Sequence, residues 1–178
     1  FEGYKIDSTT IGGTGAGEGN LVSGNRFTTD FLWDAGIALG APHHTKIIGN
    51  IIGPQINGTT QVTASTAYQH TGIMVIQSLN TTIGGPTAAE RNIISANKER
   101  GIYLEVGAGP TSNSLIQNNY IGTDINGTTF IPSTSQDFGI ALGLDATCAN
   151  NIITGNVISG NTTAGILGQA DSLIIKGN

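Results

Sequence analysis

A short segment that returns at a fixed distance constrains this chain more than any other feature. Thr10-Ile11-Gly12-Gly13 recurs as Thr82-Ile83-Gly84-Gly85, an offset of 72 residues. Asn20-Leu21-Val22-Ser23-Gly24-Asn25 recurs at the same offset as Asn92-Ile93-Ile94-Ser95-Ala96-Asn97. Ile56-Asn57-Gly58-Thr59 returns after 69 residues as Ile125-Asn126-Gly127-Thr128. Self-similarity of this kind marks an architecture in which units bury their apolar faces only by stacking on their neighbours.

A shorter cycle runs inside each long repeat. A Gly-led segment appears at Gly36-Ile37-Ala38-Leu39, Gly72-Ile73-Met74-Val75, Gly101-Ile102-Tyr103-Leu104, Gly139-Ile140-Ala141-Leu142 and Gly165-Ile166-Leu167, with Gly3-Tyr4-Lys5-Ile6 as a looser copy. A second apolar segment follows each, such as Lys46-Ile47-Ile48-Gly49-Asn50, and often a third, such as Val157-Ile158-Ser159-Gly160-Asn161. β-Branched residues and two-residue alternation make these strands, and no window holds helical spacing. Hairpins are excluded, because equivalent strands recur only after a whole cycle. Stacked in parallel, the copies lie about 4.8 Å apart. The reading is an all-β, right-handed parallel β-helix of about six coils, three short strands per coil, in a single domain over residues 1–178. Its interior is expected to hold Ile37, Ile48, Ile73, Ile83, Ile102, Ile116, Ile140, Ile152 and Ile166. Asn50, Asn119 and Asn156 should turn the corner between the second and third strands, and Asn25, Asn97 and Asn161 should end the third. Asn tolerates positive φ, and its stacked amides can hydrogen-bond as ladders.

The I-G-G, N-I-I-S-x-N, G-I-x-L and N-x-I-x-G-N pattern resembles the right-handed parallel β-helix repeat proteins of the pectin-lyase-like superfamily. It is most similar to repeats of large bacterial and archaeal secreted or surface proteins, and the likeness covers nearly the whole chain. It implies the fold, and an extracellular or cell-surface setting. It leaves the activity open, because the same coil carries lyases, hydrolases, epimerases, adhesins and phage spikes. The Asn-Thr-Asp, Asp-Asp and His-Gly segments of the polygalacturonase-like hydrolases have no match here, nor does the basic and calcium-ligating set of the pectate lyases.

Chemistry in such a fold sits in the corner loops. The inserts Arg26–Ala35, Pro54–Thr71 and Thr123–Phe138 leave one corner and should form a single overhang. It gathers Phe27, Phe31, Trp33, Tyr68, Phe130 and Phe138 with Asp30, Asp34, His70 and Asp137. Flat rings beside carboxylates suit a saccharide platform, with Trp33, Tyr68, Phe31 and His70 as its binding residues. The nearest approach to a catalytic set is Asp30, Asp34 and Asp137, followed by Glu99 beside Arg100. Against this, Phe is the ring most content with full burial, and loop carboxylates are mostly solvated. A scaffold is therefore expected before an enzyme.

Composition closes off other classes. The net charge is −5, charged residues make up 11%, and the seven Lys and Arg are scattered, so no nucleic acid is expected as partner. No apolar run is long enough to insert in a membrane. His43-His44 and His70 lack ligand spacing, so no metal is expected. Gly12–Gly19 lacks the Lys-Ser/Thr of a phosphate loop, so no cofactor is expected either. Cys148 is the only cysteine. Four N-x-Thr sequons, at Asn57, Asn80, Asn126 and Asn161, are as well explained by the richness in Asn and Thr as by glycosylation. Asn57-Gly58 and Asn126-Gly127 read as tight turns with both residues at positive φ. Neither end carries a capping helix, which suggests a fragment of a longer rod or a filament protomer. The expected partners are therefore another copy stacked axially or the remainder of a longer chain, with polysaccharide as the alternative.

Overall fold

The computed structural model describes residues 6–25, 34–62, 69–131, 136–143 and 147–178. It is a parallel β-helix whose strands fall into three parallel sheets of five or six strands, with a two-stranded parallel pair, Ile6–Asp7 and Pro42–His43, beside them. The first sheet stacks Ala35–Gly40, Thr71–Ile76, Arg100–Glu105, Phe138–Leu142 and Ala164–Leu167. The second stacks Thr10–Gly12, Lys46–Ile48, Thr82–Gly84, Leu115–Gln117, Ile152–Thr154 and Ile174–Lys176. The third stacks Leu21–Val22, Ile51–Ile52, Ile93–Ile94, Tyr120–Ile121 and Val157–Ile158. Taking each coil from first to third strand, the second sheet's six strands number six coils. The looser copy at Gly3 departs from the expected register. Ile6 pairs with Pro42, not with Leu39, and residues 1–5 lie outside the described set.

The core is built of columns of identical residues. Ile37, Ile73, Ile102, Ile140 and Ile166 stand in register in the first sheet. Ile11, Ile47, Ile83, Ile116, Ile153 and Ile175 do so in the second. Ile47, Ile73, Ile83, Ile102, Ile140 and Ile153 are wholly buried. Two expectations shift by one residue. Ile48 is buried but Ile47 is the member of the column, and Ile152 is half-buried while Ile153 takes the interior place. In an Ile-Ile doublet either residue satisfies the apolar pattern, and only the neighbouring coil decides between them.

Two ladders of side-chain amides run through the rod. In the first, Asn20, Asn50, Asn92, Asn119, Asn156 and Asn178 are linked, each backbone N–H and Nδ2 donating to the next Oδ1 at 2.8–3.2 Å. Each Nδ2 from Asn50 onward also reaches back to a carbonyl of the preceding coil, as Asn119 does to Ile83 O at 2.9 Å. The second ladder alternates, running Asn25, Gln69, Asn97, Gln136, Asn161. The Asn corners expected from the repeat are thus ladder rungs, but they are not where the backbone turns left-handed. That place falls to the residue before the first-ladder Asn, namely Gly49 (φ 70°), Asn118 (φ 55°), Gly155 (φ 64°) and Gly177 (φ 63°). A further left-handed column, Ser8, His44, Asn80, Asn113, Asn150 and Ser172, opens the second strand of every coil.

Insertions alternate between corners. The first and third coils carry I-G-G inserts, at 13–19 and 85–91, each closed by a carboxylate. Glu18 accepts from Gly15 N at 2.8 Å, and Glu90 accepts from Thr87 N at 3.0 Å. The second and fourth coils carry the N-G-T-T loops. There only the glycines, Gly58 (φ 65°) and Gly127 (φ 71°), have positive φ. Asn57 instead accepts from Thr59 N and Thr60 N through Oδ1, so the side chain forms the turn that two left-handed residues were expected to form. The two N-G-T-T inserts meet directly, Ile125 N donating to Gly58 O at 2.8 Å, whereas the second I-G-G insert bonds the plain corner, Gly49 N donating to Glu90 O at 3.1 Å.

The leading glycines are fixed by contact. A methyl group on Gly101 would lie 2.6 Å from Gly139 O and 3.0 Å from the Gln136 amide nitrogen, whereas on Gly165 it would meet only Ile158 at 3.3 Å. Gly101→Ala should therefore cost about 1–3 kcal/mol by overpacking, and Gly165→Ala should cost clearly less. Urea denaturation of the two variants checks the difference.

Candidate functional site

The register that stacks Ala35, Thr71, Arg100, Phe138 and Ala164 also stacks the residues just before them. Those residues are Asp34, His70, Glu99, Asp137 and Thr163. Backbone bonds hold the row: Thr71 N donates to Asp34 O, Glu99 N to His70 O, Phe138 N to Glu99 O and Ala164 N to Asp137 O. Four titratable side chains thereby occupy one position in four successive coils, about 4.8 Å apart along the axis. Asp34, His70 and Asp137, taken from the sequence as site candidates, share this row, with Asp34 and Asp137 three coils apart. Asp30, Phe31, Trp33 and Tyr68 lie outside the described residues.

The centre of the row is a linked group. His70 Nε2 lies 2.7 Å from Glu99 Oε2, and Arg100 donates to the same oxygen at 2.8 Å. The Arg100 guanidinium carbon stands 4.5 Å from the centroid of the Tyr103 ring. Asp137 Oδ1 accepts from the Thr162 hydroxyl at 2.7 Å. His70 is 9% exposed. Glu99 spends one oxygen on two donors, so the arrangement locks a corner and holds a fixed cation over an aromatic ring. Among the described residues no group of three metal-ligating side chains converges.

No protein-family model, curated protein or solved structure matches this chain. Glu99 and Arg100 ranked second in the sequence and are central in the structure, and Tyr103 was missed. A signal was present: four of the leading glycines, Gly36, Gly72, Gly101 and Gly139, are preceded two places earlier by Asp34, His70, Glu99 and Asp137. Unequal loop lengths hide that alignment until the glycines are superposed.

The imidazole gives a pH dependence. Burial holds the His70 pKa below its ordinary value of 6.5; Glu99 and Asp34 oppose the shift, while Arg100 and Lys98 reinforce it. The unfolded chain then takes up the proton first as the pH falls. The stabilising contribution is complete above the ordinary value and is lost as the pH drops through the folded one. Thermal midpoints should fall between neutral pH and about pH 5, where an ordinary histidine is already charged. In His70→Gln that slope should flatten.

Proposed function

We propose that this chain is a structural or adhesive scaffold segment of the extracellular space or cell surface, continued along its axis either by a second copy stacked on it or by the remainder of a longer chain. The observation that supports this is the direction of the Asn20–Asn178 ladder. Every rung donates toward the next coil, so among the described residues the ladder begins on an acceptor, Asn20 Oδ1, and ends on a donor, the Asn178 backbone N–H. These two faces are complementary. Beside the donor lies Ile175, the last described member of the inward isoleucine column, which is half exposed. Burying such surface contributes about 25 cal/mol per Å², and unpaired strands readily accept a partner strand. A head-to-tail contact of this kind extends into an open filament. The resemblance to secreted and surface repeat proteins of the pectin-lyase-like superfamily supports the same setting. Sedimentation velocity tests the proposal: the full chain should sediment faster as concentration rises, and Ile175→Lys should abolish the rise. A concentration-independent monomer, indifferent to that substitution, contradicts it.

One observation favours a second reading, polysaccharide binding. Arg100 stacked on Tyr103, with Glu99 and Asp137 alongside, joins a cation, a ring and carboxylates. Titration with acidic and neutral polysaccharides, followed by Trp33 fluorescence and reducing-end release, separates binding, cleavage and neither. Arg100→Ala should weaken binding on this reading.

A further inference from the structure

The two N-G-T-T inserts are a matched pair in which the sequence is the same and the bonding is not. Residues 56–60 and 125–129 both read Ile-Asn-Gly-Thr-Thr. Asparagine is thermolabile, and a following glycine exposes it most, because no Cβ obstructs attack by the glycine nitrogen on the side-chain amide. Identical flanks give the two Asn-Gly bonds the same intrinsic reactivity. The fold alone sets them apart.

In the first insert the reacting groups are held fast. Asn57 Oδ1 accepts from Thr59 N at 3.0 Å and Thr60 N at 3.2 Å, and Nδ2 donates to Thr60 Oγ1 at 3.0 Å. Gly58 is buried, its N–H donating to Gln55 O at 2.8 Å and its carbonyl accepting from Ile125 N at 2.8 Å. The second insert exchanges Gln55 for Asp124 at the offset of 69. Asp124 Oδ1 takes over both turn amides, accepting from Thr128 N at 3.0 Å and Thr129 N at 3.3 Å. Asn126 Nδ2 donates to Asp124 Oδ2 at 3.1 Å, and Gly127 N to Asp124 O at 3.0 Å. Among the described residues no donor reaches Asn126 Oδ1 or Gly127 O. No third insert covers this one, since the fifth coil runs from Val157–Ile158 to Ala164–Leu167 without one.

Cyclisation requires the glycine nitrogen to swing onto the side-chain carbonyl carbon. At Asn57 that motion breaks several bonds of the side chain and two of the Gly58 peptide; at Asn126 it breaks one of each. We propose that Asn126 is a site of spontaneous deamidation and that its twin, Asn57, is protected by the fold. The Gly127 nitrogen forms a bond to Asn126 Cγ, the Cγ–Nδ2 bond breaks, and Nδ2 leaves as ammonia with the Gly127 amide proton. Water then opens the succinimide at either carbonyl, leaving isoaspartate or aspartate. No oxidant or reductant takes part. The product sets a second carboxylate against Asp124 where an amide donor stood, so like charges loosen the turn that Asp124 holds.

Peptide mapping by mass spectrometry, with isoaspartate assayed separately, tests this as the full chain ages in mildly alkaline buffer. Asn126 should convert about tenfold faster than Asn57, the rate equivalent of one additional hydrogen bond to break. In urea the two should convert at the same rate. Asp124→Gln copies the first insert and should slow Asn126 by returning the turn amides to it; circular dichroism checks that this variant is folded, and the comparison of folded and unfolded wild-type chain stands without it. The proposal is overturned if Asn57 converts as fast as Asn126 in the folded chain. It is equally overturned if Asn126 stays intact over a period in which the chain in urea reacts, or if the difference persists in urea. Unchanged conversion of Asn126 in folded Asp124→Gln would overturn the role given to Asp124.

Discussion

Replacing Asn119 with alanine is expected to be the most damaging single change in the molecule. Asn119 is wholly buried and stands mid-ladder. Its Oδ1 accepts from the N–H and Nδ2 of Asn92, and its Nδ2 donates to Asn156 Oδ1, Ile83 O and Gln117 O. Alanine leaves the Asn92 backbone N–H without its acceptor and Ile83 O without this donor, in an interior that water does not reach. Each buried group left unpaired costs about 1–3 kcal/mol, so a loss of about 3–6 kcal/mol follows. Native domains hold only about 5–15 kcal/mol in total, so the variant should lie near the edge of folding. Asn119→Asp should do no better, because an oxygen would then face the Ile83 and Gln117 carbonyls. Asn178→Ala, at the exposed end of the same ladder, should cost about 1 kcal/mol. Urea denaturation compares the three, and equal losses at Asn119 and Asn178 would show that the ladder is not a cooperative element.

The second large effect lies in the isoleucine columns. Ile102 and Ile140 are 0% exposed and adjacent in one column, each sandwiched by isoleucines of the neighbouring coils. Truncation to alanine removes buried methyl groups and leaves a cavity that parallel stacking cannot collapse, since coil spacing is set by backbone hydrogen bonds. Ile102→Ala and Ile140→Ala should each cost about 2–5 kcal/mol. Ile175→Ala, half exposed in the last coil, should cost under about 1 kcal/mol. Unchanged denaturation midpoints in both core variants would contradict the observed register.

The contrast between these columns and the corners explains what the residues disclosed in advance. The Gly-led segments carry a period that survives insertions, so coil number, strand order and the isoleucine interior were legible. Which member of Ile47-Ile48 or Ile152-Ile153 points inward was not, because apolarity is the same at both positions and the choice lies with the coil above. The second ladder was half-legible. Asn25, Asn97 and Asn161 stand directly after a strand, but Gln69 and Gln136 close long loops and enter the ladder from a different distance along the chain. The left-handed turn was assigned to the corner Asn and belongs to its predecessor, since Gly-Asn offers two residues that both tolerate positive φ. The row Asp34, His70, Glu99 and Asp137 follows the same logic: its members are far apart in sequence, and only strand pairing aligns them.

The central claim is that coils stacked through directional amide ladders form a scaffold that extends along its own axis. Electron microscopy of the full chain across a concentration series tests it most directly. Rods one coil in cross-section are expected, lengthening with concentration in steps of roughly 29 Å, the rise of six coils at the strand spacing, and shortening to single units in Ile175→Lys. Particles of one fixed length at every concentration, identical in the wild-type chain and in Ile175→Lys, would contradict it.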